Sequence, residues 1–389
     1  MTQFHSLYLH VPFCRHRCAY CDFNTYAGQE DSIPAYVEAL CRELEFIAFN
    51  APEKLTLHTI FFGGGTPSLL TPQQFETILK TISDNFNLAN LETTIEANPG
   101  TVSLNDLRDL RSLGVNRISF GVQSANPSEL RMLERAHSYF DVINAVTWAR
   151  QAGFDNLNLD LIYGLPQQTL GDWSATVKLI LGLAPKHLSL YALTLEHGTP
   201  FGRWSARGLL PLPDPDLAAD MYEWAGETLE SAGYQQYEIS NWAKPELECR
   251  HNLQYWRGLP YLAAGAGAHG YVNGYRYSNV LRIKTYIDRL TDFRFPNLEF
   301  PLTPATVNYH KQSLQDDMGD FMMTGLRLTR EGISRETFRE RFGHDLETAF
   351  GAEIADLIRL GLLEWQAERL RLTQRGRLLG NQAFARFVN

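Results

Sequence analysis

Three cysteines stand within eight residues, in the run Cys14-Arg15-His16-Arg17-Cys18-Ala19-Tyr20-Cys21, and only two others, Cys41 and Cys249, occur in the chain. Thiolates at that spacing can wrap one iron–sulfur cluster. Three of them hold three irons of a [4Fe–4S] cube and leave the fourth iron open to a bidentate small molecule. Zinc is the competing use, but a structural zinc site takes four ligands in closely spaced pairs, and the sequence has no second Cys-x-x-Cys pair. So few cysteines, most of them clustered, point to metal or redox use rather than a disulfide framework. Cys41 lies in the helical pattern AYVEALCRELEFIAF and reads as a small core residue. Cys249 is closely followed by His251.

Other groups suited to chemistry fall where apolar runs stop. Phe62-Gly63-Gly64-Gly65-Thr66-Pro67 is a glycine run that lets a ligand approach the backbone closely, although such a run also makes an ordinary turn. Glu96 in IEANPG, Gln123 in GVQS, Arg135 in LERAHS and Asp160 in DLIYGLP continue the series. Any one of these reads equally as a helix cap or surface residue. Four in step with a repeating rhythm point to one shared site.

That rhythm is strand then helix. SLYLHV, TLHTIFF, ETTIEANP, RISFGVQS, NLNLDLIYGLP and HLSLYALTLE read as strands, with helical patterns between them. Parallel neighbours need crossovers of a dozen or more residues, so six units predict a parallel sheet with helices outside. The alternation ends near residue 200, short of the roughly 250 residues of an eight-unit barrel. The expected architecture is α/β, a partial (β/α)6 barrel over residues 1–205. An adjoining segment covers 206–300, beginning with a Pro-rich break and a long amphipathic helix. Over 301–389, the helices ISRETFRERFG and AEIADLIRLG, then the alternating LLEWQAERLRLT, predict a winged-helix-like α+β domain.

With 44% hydrophobic and 12% aromatic residues in 389, the chain has the composition of a folded body rather than a disordered one. A net charge of −9 and a tail that interleaves Arg with Glu and Asp argue against nucleic acid as partner. No apolar run reaches the roughly 18 residues of a membrane span, and MTQFHSLYLHVPF lacks a basic leader pattern, so the expected location is the cytoplasm.

The Cys-x3-Cys-x2-Cys run with Tyr20 before its third cysteine resembles the radical-SAM superfamily. YLHVPFCRHRCAYCDF, GGGTPSLL, EANPGT, NRISFGVQS, RAHS and DLIYGLP together resemble its HemN/HemW group along most of the chain. The resemblance implies that Cys14, Cys18 and Cys21 bind a [4Fe–4S] cluster. It further implies that S-adenosylmethionine chelates the open iron and that Tyr8, Tyr20, Gly64, Gly65, Thr66, Glu96, Gln123, Arg135 and Asp160 contact that cofactor. Within the group, the oxygen-independent coproporphyrinogen III dehydrogenases carry a further cysteine two positions after the third cluster ligand, where this chain has Phe23. His251-Asn252-Leu253-Gln254-Tyr255-Trp256 instead resembles the heme-associated HNxxYW motif of the heme-chaperone branch.

That branch implies heme as ligand, His251 as its leading axial-ligand candidate, and an acceptor hemoprotein, membrane-associated or not, as partner. Imidazole is a common heme ligand and neighbouring aromatics can cover the macrocycle. The same His-Asn pair could instead satisfy backbone groups in an aromatic, Gly-rich loop. His10, His269 and Cys249 are lesser candidates, and a second copy of the chain is a candidate partner. Decarboxylation of coproporphyrinogen, or radical chemistry on an unrelated substrate with no heme bound, are the alternative readings.

Overall fold

The computed structural model describes residues 4–291 and 298–388. Six strands, Phe4–Val11, Thr56–Gly64, Asn87–Ala97, Arg117–Gln123, Asn156–Tyr163 and His187–Ala192, pair in chain order and all in parallel. The crossover helices include Ile33–Asn50, Pro72–Asn85, Leu104–Ser112, Tyr139–Gln151 and Leu170–Gly182. The last four of these start from Thr71, Ser103, Ser138 and Thr169, each in a reciprocal capping box with the residue three positions on. Such caps stabilise a helix start by about 1 kcal/mol each and fix where each loop hands over to its helix.

Strand parity divides the chemistry from the core. Leu7, Leu9, Val11, Ile60, Phe62, Ile118, Phe120, Leu159, Leu161, Leu188 and Leu190 are buried in one apolar cluster with the helices. Their neighbours along the strands, Tyr8, Glu96, Ser119, Gln123, Asp160 and Ser189, therefore lie on the other face. The hydrophobic pattern thus puts the polar side chains inside the curve of the sheet.

Residues 206–300 add strands to both edges of this sheet. The hairpin Gln235–Glu238 and Asn241–Ala243 pairs antiparallel with the sixth strand. At the opposite edge Tyr261–Ala264 pairs parallel with the first strand, Tyr8 beside Ala263, making a seventh parallel strand that the sequence rhythm did not reveal. His269–Val272, Tyr275–Asn279 and Thr306–Lys311 extend that edge antiparallel, so among the described residues twelve strands form one open sheet.

Beyond it, helices Leu314–Gly325, Arg335–Phe342 and Leu346–Arg359 and the small sheet of Ile333–Ser334, Arg369–Leu372 and Leu363–Gln366 enclose a separate apolar core. The order of elements is the winged-helix-like one expected, but the small core begins only with helix Leu314–Gly325 and not at residue 301, because Thr306–Lys311 pairs into the main sheet. Arg257–Glu331 at 2.8 Å and Arg327–Glu238 at 3.2 Å tie it to the sheet. No helix among the described residues is long and apolar enough to cross a membrane.

Candidate functional site

The loop after the first strand is held by the glycine run of the second. Gly65 N donates to Val11 O at 2.9 Å and Thr66 N to Phe13 O at 2.7 Å. A Cβ on Gly65 would stand 2.6 Å from Phe13 O and 2.8 Å from Val11 O, so only glycine permits the approach. Gly64 has φ +107°, and a Cβ there would meet the His10 ring at 2.5 Å. The cysteine loop is therefore seated by backbone contact.

Thr66 and Arg135 reach its thiols. Thr66 Oγ1 donates to Cys14 Sγ at 3.6 Å and Arg135 Nη1 to Cys18 Sγ at 3.7 Å. Asn98 joins them, donating to Thr66 Oγ1 at 3.0 Å while its own Oδ1 accepts from Arg135 Nη2. Burial pushes the Cys14 and Cys21 thiols up, and at Cys14 the Thr66 contact and the Arg135 charge oppose it. Such donors favour thiolates once a metal replaces the protons. Among the described residues no three His, Cys, Asp or Glu side chains converge closely enough for a single metal ion. A cubane makes a different demand, one iron per thiolate.

Glu96, Ser119, Gln123 and Asp160 line a cavity of about 790 Å³ together with the three cysteines, and Tyr20, Gly64, Gly65, Thr66 and Arg135 are among its other lining residues. Glu96 Oε2 accepts from Gly64 N at 3.0 Å. Burial, reinforced by the neighbouring Asp160 carboxylate, pushes its carboxyl up to about 7. Asp160 is also raised by burial, against hydrogen bonds from Ser119 Oγ at 2.9 Å and Asn158 Nδ2 at 2.8 Å. Of the residues singled out in sequence, this cavity gathers all three clustered cysteines and every SAM candidate except Tyr8. Asn98 and Ser119 were missed. Ser119 stands four residues before Gln123 on one strand, so period-two parity could have found it.

Tyr8 lines a second cavity of about 550 Å³, shared with His10, Tyr255, Tyr261, His269 and Phe321. Asp22 and Phe23, which follow the third cysteine directly, line both cavities. His251 lies on neither. It is 1% exposed, with Nδ1 2.7 Å from Thr59 Oγ1 and Nε2 2.8 Å from Tyr255 Oη. Thr59 donates its hydroxyl hydrogen to Ser6 Oγ at 2.5 Å. His251 Nδ1–H therefore donates to Thr59, and Nε2 accepts from Tyr255. Burial lowers this imidazole to about 3, so it is neutral with both nitrogens engaged.

Glu92 anchors the same turn, accepting from Arg250 N and His251 N at 3.2 Å each. Cys249 is buried, and burial pushes its thiol up to about 12. His10 spends its ring on Tyr8 Oη at 3.0 Å and Asn24 O at 2.9 Å.

The model for the radical SAM superfamily matches residues 8–180, and that for the HemN C-terminal domain matches residues 312–379. Over 98% of its length the chain is 38% identical to heme chaperone HemW of Bacillus subtilis, covering 99% of that protein. It is 40% identical to heme chaperone HemW of Mycobacterium tuberculosis over 97% of this chain and 93% of the relative. Coproporphyrinogen III oxidase (HemN) from Escherichia coli, a solved radical SAM enzyme, superposes with TM-score 0.83 at 24% identity, covering 99% of this chain and 90% of that one. That likeness establishes the fold, a mixed sheet with flanking helices and a small C-terminal domain. With near-complete coverage at these identities, the chain belongs to the HemW family of heme chaperones within the radical SAM superfamily.

Proposed function

We propose that this chain binds heme and passes it to an acceptor protein, and that it holds a [4Fe–4S] cluster and S-adenosylmethionine next to the heme site. The observation that carries this reading is the pair of adjoining cavities, one lined by the three cysteines and the other by aromatic and histidine side chains, with Asp22 and Phe23 as common wall.

The larger cavity suits the cofactors. Cys14, Cys18 and Cys21 would hold the cluster, with Thr66 and Arg135 donating to its thiolates. Gly64, Gly65 and Thr66 would meet the methionine end of S-adenosylmethionine, with Tyr20, Glu96, Gln123 and Asp160 along the rest of it. Tyr8 belongs to this proposed set by motif. When bound and reduced, cluster and cofactor supply one-electron cleavage of a carbon–sulfur bond. Arg135 keeps positive charge beside the thiolates, and Glu96 exchanges a proton near neutral pH at a carboxyl that touches Gly64 N.

Heme then belongs in the smaller cavity, beside the HNxxYW motif. Tyr255 and Trp256 of that motif line it, and His251 holds Tyr255 from behind. For His251 itself to bind iron, its Nε2 must first be released by the Tyr255 hydroxyl, while Nδ1–H can stay on Thr59. Coproporphyrinogen decarboxylation is the weaker reading, because Phe23, 62% exposed, stands where that branch has its additional cysteine. We place the protein in the cytoplasm, delivering to a hemoprotein there or at a membrane.

The test is anaerobic titration with heme, followed by absorbance, on the wild type and on His251→Ala. Stoichiometric binding by the wild type, weakened in the variant, supports the proposal. No binding by the wild type removes it and leaves a radical-SAM protein of other substrate.

A further inference from the structure

The histidines near the smaller cavity differ in what their rings are free to do. His251 and His10 have both nitrogens engaged, and burial lowers both imidazoles. His269 is exposed, lines the cavity, and its ring has no hydrogen bond to any described residue. A neutral imidazole nitrogen with a free lone pair is what a heme iron requires.

The backbone around His269 is fixed rather than loose. It opens the strand His269–Val272 directly after the turn Gly265-Ala266-Gly267-Ala268. Gly265 has φ +106° and Gly267 φ +81°, and a Cβ on either would collide with His10 O at 2.4 Å or Asn24 Nδ2 at 2.5 Å. Buried Glu43 clamps the turn, accepting from Gly265 N at 2.8 Å and Asn279 Nδ2 at 2.7 Å. His269 thus stands on a rigid base with its side chain unspent.

In the same cavity, on the neighbouring strand, Arg276 is committed to Asp320 at 2.6 Å. Arg341 is not so held. Its ion pair to Asp317 Oδ1 is 3.4 Å and its contacts to Tyr271 Oη and Arg257 O are 3.2 and 3.4 Å, all at the long end of hydrogen bonding, and its guanidinium otherwise rests 5.1 Å from the Phe321 and Phe342 rings. Arg341 belongs to the C-terminal helix Arg335–Phe342, whereas His269 belongs to the main sheet. A flat macrocycle in this cavity is therefore offered an imidazole by one layer and a carboxylate partner by the other. The cavity's 550 Å³ falls within the roughly 300–1,000 Å³ of cofactor pockets.

Resting on the heme-binding reading above, we propose that His269 is the protein ligand to the heme iron and that Arg341 pairs with a propionate, while His251 is a positioning residue acting through Tyr255. The site is then built between the sheet and the C-terminal domain, and ligation leaves the buried motif intact.

The cluster-loaded full-length protein is titrated anaerobically with ferric protoporphyrin IX and, separately, with metal-free protoporphyrin IX. His269→Ala should lose the histidine-ligated absorbance band and weaken heme binding on the order of tenfold, with metal-free porphyrin binding unchanged. Added imidazole should restore the band. Arg341→Ala and His251→Ala should weaken both porphyrins together, without changing the band of the heme that still binds. If His269→Ala keeps the wild-type band and affinity, or if His251→Ala alone abolishes the band while metal-free porphyrin binds normally, the proposal is wrong and the heme reading stands. If the wild type binds neither porphyrin, the heme reading itself fails.

Discussion

Replacing Gly65 by alanine tests whether the cysteine loop is seated by backbone contact. The new Cβ would lie 2.6 Å from Phe13 O and 2.8 Å from Val11 O, and neither atom is the end of a flexible side chain. Ordinary contact needs at least 3.4 Å, so the loop must retreat by the better part of an ångström. That retreat strains or breaks the 2.9 Å and 2.7 Å bonds from Gly65 N and Thr66 N. Two backbone hydrogen bonds at about 1 kcal/mol each, with about 1–2 kcal/mol of overpacking, give a loss of roughly 3–4 kcal/mol. The displaced segment carries Cys14 and moves Thr66 Oγ1 away from its thiol. Gly65→Ala should therefore lower the urea midpoint and, after anaerobic reconstitution, take up markedly less iron and sulfide than wild type. Gly182→Ala is the control, because its Cβ meets nothing within 4 Å. Wild-type iron content and an unchanged midpoint for Gly65→Ala would refute the seating.

Cys14→Ala, Cys18→Ala and Cys21→Ala should each abolish the cubane absorbance, whereas Cys41→Ala and Cys249→Ala keep it; iron and sulfide analysis decides. Glu96 titrates near 7 when folded, above its unfolded value near 4.5, so the native state binds the extra proton and stability falls as pH rises through that window. Glu96→Gln should remove that loss, gaining on wild type by up to about 3 kcal/mol between pH 5 and pH 8 in urea unfolding without S-adenosylmethionine. An equal pH slope in both proteins would contradict the assignment. Glu43 accepts from Gly265 N, Asn279 Nδ2, Tyr286 Oη and Thr303 Oγ1 at 2.6–2.8 Å. Glu43→Ala leaves Gly265 N, Tyr286 Oη and Thr303 Oγ1 without that acceptor, while Asn279 Nδ2 keeps Gly265 O, and should cost about 3 kcal/mol or more, with faster hydrogen exchange at Gly265 and Ala266.

Most of the barrel was legible because its strands alternate with capped helices long enough to show a period. Leu157, Leu159 and Leu161 face the helices while Asn158 and Asp160 face inward, and that alternation is written in NLNLDL. Tyr261–Ala264 was not legible. It is four residues long, has no crossover helix of its own, and finds its partner some 250 positions away at Ser6–Leu9. Local periodicity carries no information about such a pairing. The cysteine cluster stood out for the opposite reason, since three thiols within eight residues need no long-range contact to be noticed. His251 shows the limit. Its aromatic neighbours are visible in sequence, but only the fold reveals that Thr59, from a strand nearly 200 residues earlier, takes its Nδ1.

The segment after the third cysteine joins the two sites mechanically. Asp22 and Phe23 line both cavities, and the next residue, Asn24, donates to Ala266 O and Leu281 O at 3.0 Å each while its carbonyl meets His10 Nε2 at 2.9 Å. Gly267 is glycine because Asn24 occupies the space a Cβ would need. Anything that orders Cys14–Cys21 therefore also orders the turn from which His269 emerges. Such coupling is reciprocal, so whatever steadies the turn steadies the loop by the same free energy. Asn24→Ala removes the two Nδ2 contacts to Ala266 O and Leu281 O and changes no cysteine or histidine, at a position that itself lines the smaller cavity. If the two sites are linked through it, that variant should still accept a cluster, but its heme affinity should no longer depend on whether the cluster is present. Equal cluster dependence in wild type and Asn24→Ala would show that the Asn24 contacts transmit nothing.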